Sequence, residues 1–223
     1  MVYRLVAKDF REDTRRAKRL IEDIAGTRII GYRAPSFSIT RNSLWALNIL
    51  AEEGFEYDSS IFPVFRDRYG IPGTPRFPYQ LALRGETISS PLNERARLAI
   101  LEVPPTTVRW LGVTLPIGGG GYFRLCPSWL FHRAIRQLVE VECRPAVLYL
   151  HPWELDPDQP HITTGSWLSR FRHYVNLDGT ENKLRELLSR WRFSSVSDFL
   201  EATSGSPVRT VDDLSKGSNS RNA

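Results

Sequence analysis

The chain has 223 residues, and its 41% hydrophobic and 25% charged residues are typical of a folded globular protein large enough for one domain. Its formal net charge is +5, but the basic residues are scattered, and the densest basic cluster, between Arg15 and Arg19, lies among acidic residues. We therefore predict no nucleic-acid partner. No run reaches the roughly 18 apolar residues of a membrane-spanning helix, and residues 1–10 hold no signal-peptide core, so we predict a cytoplasmic protein without a membrane span.

The first hundred residues alternate predicted helices and strands. Apolar residues at helical spacing indicate a helix over residues 10–25, which begins with a capping box at Asp9 and stops at Gly26. The other predicted elements of this part are a helix over 41–53, capped by Thr40, and strands over 28–33, 55–59 and 99–103. Residues 61–99 show no periodicity, and we interpret them as an irregular excursion from the scaffold.

A run of four glycines, residues 118–121, opens the second part of the chain and allows either close backbone approach or positive φ. The predicted elements that follow are helices over 128–142 and 181–191, strands over 146–150 and 193–196, and a short helix from residue 198. From about residue 204 the chain is too polar to pack. We therefore predict one domain over residues 1–203 and a disordered tail over residues 204–223.

Strands separated by helices predict a mainly parallel sheet with crossover helices, either open and doubly wound or closed into a barrel. The first predicted helix has no strand before it, although a crossover helix normally joins two strands. The pattern therefore begins inside a βα repeat.

Three candidate functional residues stand at the carboxyl ends of predicted strands, where the sites of parallel α/β proteins form, and we expect them to converge there. Arg33 ends the first strand, Asp58 lies at the end of the second, and His151 follows the apolar strand over 146–150 and precedes Trp153. An imidazole at such a place could act as a general acid or base. Each residue also has a structural interpretation, namely a salt bridge for Arg33, a turn cap for Asp58 and a turn histidine for His151.

Metal and nucleotide sites find little support in the sequence. The histidines, at positions 132, 151, 161 and 173, have no HxH or HxxxH spacing, and the glycine run is not followed by the Lys-Ser/Thr of a phosphate-binding loop. Cys126 and Cys143 lack CxxC spacing and predict free thiols in a reducing compartment. We predict no metal ligands in this chain.

Five stretches, in order, resemble the polysaccharide deacetylase family, and most closely its subfamily from exosortase-associated exopolysaccharide gene clusters. They are GYRAPSFSIT, EYDSSIFP, LPIGGGGYFRL, YLHPWELDPDQP and RFRHYVNLDG. The resemblance extends to about residue 200 and implies a distorted, N-terminally truncated (β/α) barrel with mainly parallel strands. It also implies hydrolysis of N-acetyl groups on amino sugars of a polysaccharide or oligosaccharide substrate.

The resemblance further implies roles for single residues. A divalent metal, usually zinc, would activate water, and His151 would be the acid that protonates the departing amine. Arg33 would orient the base aspartate and hold it ionised, and Asp58 would correspond to the aspartate that supports the catalytic histidine, although its motif departs from the family pattern. The residues implied to line the sugar groove are Gly119, Gly120, Tyr122 and Trp153.

Two motifs of that family are absent, the paired aspartates of its first strand and an HxxxH pair of metal ligands. We therefore expect the zinc ligands to lie upstream of Met1, in agreement with the helix that lacks a preceding strand, and we expect the chain alone to be inactive.

One alternative is a non-catalytic carbohydrate-binding remnant of the same fold. Another is a glycoside hydrolase, for which Asp58 and Glu154 would be the two carboxylates.

Overall fold

A computed structural model describes residues 1–66, 69–83, 98–161 and 163–203 of the chain. These residues form two compact units, the first up to Pro104 and the second from Pro105 onward. The predicted tail over 204–223, and residues 84–97 of the predicted irregular stretch, lie outside the described residues.

The first unit combines two helices with a four-stranded sheet. Its helices are α1 (Ala7–Ala25) and α2 (Trp45–Glu52), and its strands are β1 (Gly31–Tyr32), β2 (Tyr57–Asp58), β3 (Tyr79–Leu83) and β4 (Leu98–Glu102). Short 3-10 turns span Val2–Arg4, Pro35–Phe37 and Arg41–Ser43. The strand order is β1-β2-β4-β3, in which the first three strands are parallel and β3 runs antiparallel to β4.

The predicted helix is confirmed as α1, but only part of its apolar face is buried. Gly26 ends it in the left-handed conformation, as predicted, whereas the helix begins two residues before Asp9, so the predicted capping box there is wrong. Phe10 is buried, but Ile24, at the far end of the same stripe, is 79% exposed. Only the first half of α1 therefore contributes to the core.

Helix α2 lies at the centre of the first unit. Its residues Leu47 and Leu50 are completely buried, and the core around them includes Phe10, Ile39 and Ile100. A helix that is apolar on nearly all sides is stable only when other elements cover it. Thr40 forms the expected capping box with Ser43, but it caps the 3-10 turn Arg41–Ser43, and α2 itself begins at Trp45, after Leu44.

The second unit is mainly helical. Its strands β5 (Thr107–Trp110) and β6 (Val113–Pro116) form an antiparallel hairpin that the sequence did not predict. Leu111 and Gly112 join them with φ of 48° and 81°, the combination of a tight hairpin turn. The helices are α3 (Gly120–Leu125), α4 (Ser128–Arg136) with a π-helical extension over Gln137–Val141, α5 (Trp167–Tyr174), α6 (Leu177–Arg190) and α7 (Val196–Thr203), with a 3-10 turn over Pro152–Leu155.

The expected barrel is wrong. About 49% of the described residues are helical and 12% are in strands, the sheets are small and mixed, and these residues close no barrel. The predicted strand over 146–150 makes one bridge, between Gly119 and Tyr149, and residues 193–195 form no strand. An apolar segment becomes a strand only where neighbouring strands complete its hydrogen-bond ladder, and this segment has backbone hydrogen bonds to other described residues at Val147 and Tyr149. None of the described helices is long and apolar enough to cross a bilayer.

Candidate functional site

Arg33 ties together the carboxyl ends of the parallel strands in the first unit. Its Nε donates to the carbonyl oxygen of Ser59 at 3.1 Å, and its Nη2 donates to Ser59 Oγ at 2.7 Å. Ser59 Oγ in turn donates to the carbonyl of Val103, just beyond β4, at 2.6 Å. The guanidinium also lies 5.9 Å from the ring of Phe37. The predicted position of Arg33 at a strand end is therefore confirmed, and its side chain remains exposed.

Asp58 is completely buried, in contact with a second buried carboxyl group. It pairs in register with Glu102 on the neighbouring parallel strand, and both residues are 0% exposed. Asp58 accepts hydrogen bonds from the N–H and the Oγ–H of Ser60, at 3.1 and 2.6 Å. Glu102 Oε1 accepts the N–H of Ile61 at 2.9 Å. Both carboxyl groups are therefore shielded from solvent in this structure.

The burial of both carboxyl groups favours one proton shared between them. Burial raises the pKa of Glu102 well above its ordinary value, and the charge of Asp58 raises it further. Burial also raises the pKa of Asp58, against the hydrogen bonds that it accepts. Within the described residues, no hydrogen-bond donor reaches Glu102 Oε2. Two adjacent buried carboxylates repel strongly, so the proton on Glu102 that bridges to Asp58 is the stable arrangement.

Aromatic hydroxyls and one cation surround the pair. Tyr79, opposite Glu102 on β3, is buried, and burial, together with the nearby Glu102 and Asp58, raises the pKa of its hydroxyl. Tyr32 on β1 has a raised pKa from burial and from the charge of Asp58. Arg33 favours the ionised form of Glu102 by its positive charge, but less strongly than burial opposes it.

His151 is exposed, and a buried carboxylate fixes its backbone. The N–H of His151 donates to Glu154 Oε2 at 2.9 Å, and the N–H of Glu154 donates back to the carbonyl of His151 at 2.9 Å. Glu154 is only 2% exposed, and its Oε1 lies 3.3 Å from Arg124 Nε. The imidazole therefore projects from a rigid turn whose carboxylate is compensated by a buried cation.

Arg124 anchors this turn to helix α5. Its Nη1 donates to the carbonyls of His173 and Val175, at 2.8 and 2.9 Å, and its Nη2 donates to that of Arg172 at 3.1 Å. Burial lowers the pKa of Arg124, and Glu154 counteracts the shift. Arg124 could not be predicted from the sequence, because Glu154 lies 30 positions further along the chain and no local pattern links the two.

The glycine run makes room for side chains of the chain itself. A Cβ on Gly119 would lie 2.4 Å from Tyr149 Oη, and one on Gly120 would lie 1.9 Å from Glu154 Oε2. Positive φ is found at other glycines but not at these. Close approach is therefore the correct explanation of the run. Gly119 and Gly120 are buried, and Tyr122 is half-buried.

Trp153 lies in a stack of aromatic rings. His173 is parallel to it at a centroid distance of 4.3 Å, and His151 is nearly parallel at 6.2 Å. The Arg124 guanidinium lies 5.2 Å from the indole ring, and His173 Nε2 is 2.8 Å from Gln159 Oε1. These neighbours cover much of Trp153, whereas His151 at the end of the stack is exposed.

The donor groups that zinc would need are not assembled here. Within the parts of the chain that the structure describes, no three His, Cys, Asp or Glu side chains are grouped so that they could hold a metal ion. Cys126 and Cys143 are free thiols, as predicted. The described residues therefore do not fit the zinc ion that the family resemblance implies.

The structure places the predicted site residues in two sets. Arg33 and Asp58 lie together at one end of the sheet in the first unit, and the glycine loop and the turn that carries His151 and Trp153 lie together in the second. That the two sets form a single site remains a prediction.

Comparison with known proteins gives one match. No curated protein and no solved structure matches the chain. A family model described as "Domain of unknown function (DUF3473)" matches residues 59–201, which is more than half of the sequence. The chain therefore belongs to the DUF3473 family.

Proposed function

We propose that this chain takes part in hydrolysing N-acetyl groups on the amino sugars of a polysaccharide, in exopolysaccharide synthesis or modification. This proposal rests on the way His151 is held in the structure. Its imidazole is exposed while its backbone is held at both N–H and C=O by the buried Glu154. The five stretches that resemble polysaccharide deacetylases support the same chemistry.

Breaking an amide bond requires a proton on the departing nitrogen, because an amide anion is a poor leaving group. A histidine titrates near neutral pH and can supply that proton. Holding the donor on a rigid turn lowers the cost of orienting it toward the scissile nitrogen. In this proposal His151 is the acid, and its ring lies nearly parallel to that of Trp153 at a centroid distance of 6.2 Å.

Activation of water is a separate requirement. The resemblance implies a metal for that step, but the described residues offer no ligand set, so we derive no step through a metal. What this chain supplies is the proton donor and a surface for the N-acetylated sugar, for which half-buried Tyr122 beside the glycine loop is a candidate.

The proposal is tested by NMR titration of the chain with the pentamer of N-acetylglucosamine and, as a matched ligand without acetamido groups, cellopentaose. We expect shifts at the His151 ring and at least tenfold tighter binding of the N-acetylated pentamer. His151→Ala should remove this preference, whereas His161→Ala should keep it, since His161 is exposed but stacks on Tyr174 instead. Equal binding of the two sugars, or binding of neither at millimolar concentration, would overturn the proposal.

A further inference from the structure

The β5-β6 hairpin turns an apolar face outward. Cross-strand partners lie on the same face of a hairpin, and successive pairs alternate between its two faces. One face of this hairpin is therefore apolar throughout and consists of Val108, Trp110, Val113 and Leu115. Trp110 and Val113, the pair next to the turn, are 58% and 57% exposed. Antiparallel strands normally turn their apolar face to the core and their polar face to solvent, and this hairpin does the opposite.

The apex of the hairpin is apolar and strained. Leu111 at the first turn position is 92% exposed and has a φ of 48°. Apart from glycine, mainly asparagine and aspartate adopt this left-handed conformation at low cost. A leucine here therefore costs folding free energy and gains almost no burial in return. Backbone strain of this kind is often retained where a residue has a function besides folding.

We propose that the hairpin tip, residues 109–113, inserts into the surface of an anionic lipid bilayer. Tryptophan collects at the boundary between headgroups and acyl chains because its ring is apolar and its N–H is polar. Trp110 takes that position, and Leu111 and Val113 beside it enter the acyl region. Arg109 lies two residues before the apex, roughly 7 Å along the strand. Interfacial segments are buried to a depth of about 5–10 Å, so the guanidinium reaches the level of the lipid phosphates.

Charge complementarity favours an anionic bilayer. The chain contains no Asp or Glu between Glu102 and Glu140, whereas the same stretch contains four arginines. One of these, Arg109, is exposed on the hairpin itself. An anionic leaflet attracts basic side chains near its surface, and the hairpin has no carboxylate to oppose that attraction. The net charge of +5 acts in the same direction.

A protein partner or a second copy of the chain fits the tip less well. Stable protein interfaces bury about 800 Å² on each partner, with complementary shapes. This tip is a two-residue turn between strands of four residues each. Acyl chains adapt to the shape of an apolar projection, so a bilayer needs no matching groove. The proposal does not depend on the proposed deacetylation and adds a membrane surface as the place of action.

The test is sedimentation of the chain with phosphatidylcholine vesicles, with and without one third phosphatidylserine. We expect at least tenfold tighter binding to the anionic vesicles, and loss of this difference in high salt. Leu111→Asn should weaken binding at least tenfold. Because asparagine suits the positive φ, unfolding would not account for that loss. Ile24→Asn is the control, since Ile24 on α1 is 79% exposed, and it should change binding by no more than twofold.

A second measurement locates the contact on the chain. Lipids with a nitroxide on the acyl chain, added to bicelles of the anionic composition, should broaden the NMR signals of Leu111 and Gly112. The signal of Leu50, which is completely buried, should stay sharp. Absence of vesicle binding, or binding that Leu111→Asn leaves unchanged, would overturn the proposal. Lipid-free dimers that Leu111→Asn dissociates, without vesicle binding, would overturn it in favour of a second copy of the chain.

Discussion

Replacing Glu102 by glutamine should change how the stability of the first unit depends on pH. The glutamine amide can donate to Asp58 as the protonated carboxyl group does, and its oxygen can still accept the N–H of Ile61. The folded contacts are therefore retained, and only the shared proton is removed. The first unit should fold in the variant as it does in the natural chain.

The sign of the effect follows from the raised pKa of Glu102. In the unfolded chain a glutamate loses its proton near pH 4.3, whereas the folded chain retains it well above that pH. Folding therefore takes up a proton in this window, and the free energy of unfolding falls as pH rises. One proton corresponds to about 1.4 kcal/mol per pH unit. The free energy of unfolding of Glu102→Gln should therefore rise relative to that of the natural chain by about 1.4 kcal/mol for each pH unit above roughly pH 5.5. This relative gain should stop at the pH where the folded Glu102 of the natural chain ionises.

The measurement is urea unfolding between pH 5 and 8, followed through the amide of Leu50 in the core of the first unit so that the second unit does not contribute. Glu56→Gln is the control, because Glu56 is exposed and pairs with Arg28 at the surface. Its stability curve should run parallel to that of the natural chain. If the Glu102→Gln curve also runs parallel, Glu102 is ionised in the folded state and the shared proton does not exist.

Three further expectations concern the second unit and the chemistry. The chain should retain no zinc after dialysis and should release no acetate from N-acetylglucosamine oligomers; stoichiometric zinc, with release lost in His151→Ala, would contradict this. Gly120→Ala should lower stability by about 1–3 kcal/mol in thermal unfolding, because the added Cβ meets the Glu154 carboxylate, whereas Gly121→Ala, with nothing within 4 Å, should be tolerated. Leu111→Asn should raise stability by up to about 1 kcal/mol, because Leu111 has positive φ at the hairpin turn; a loss in the same assay would refute this.

The sequence predicted those elements that local pattern determines. The helix that Gly26 stops, the helix predicted over 41–53 and the strand over 99–103 all appear within a few residues of their predicted bounds. Close packing at the glycine run was one of two predicted alternatives, and the contact between Gly120 and Glu154 decides between them. Each of these features depends on residues that are near in the chain or on the conformational range of one residue type.

Features that depend on strand order could not be predicted in the same way. Glu102 ends a predicted strand like many other residues, and only its register with Asp58, 44 positions earlier, shows that the two carboxyl groups meet. The hairpin turn has Leu-Gly where Asn-Gly is the usual signal, so the pattern did not indicate it. The segment over 146–150 has the composition of a core strand, but composition carries no information on how many neighbours the segment finds.

The buried pair also changes how Arg33 is understood. The resemblance gives Arg33 the role of holding a base aspartate ionised, whereas the carboxyl group in the first unit whose pKa its charge lowers is that of Glu102. Because Glu102 is completely buried, the charge of Arg33 acts on it from the surface, where hydrogen bonds to Ser59 hold the guanidinium at the strand ends. A guanidinium in this position stabilises the one negative charge that remains on the pair when the other carboxyl group carries the proton. The arginine at the strand end is therefore explained by the electrostatics of the sheet itself, before any contact with a substrate is invoked.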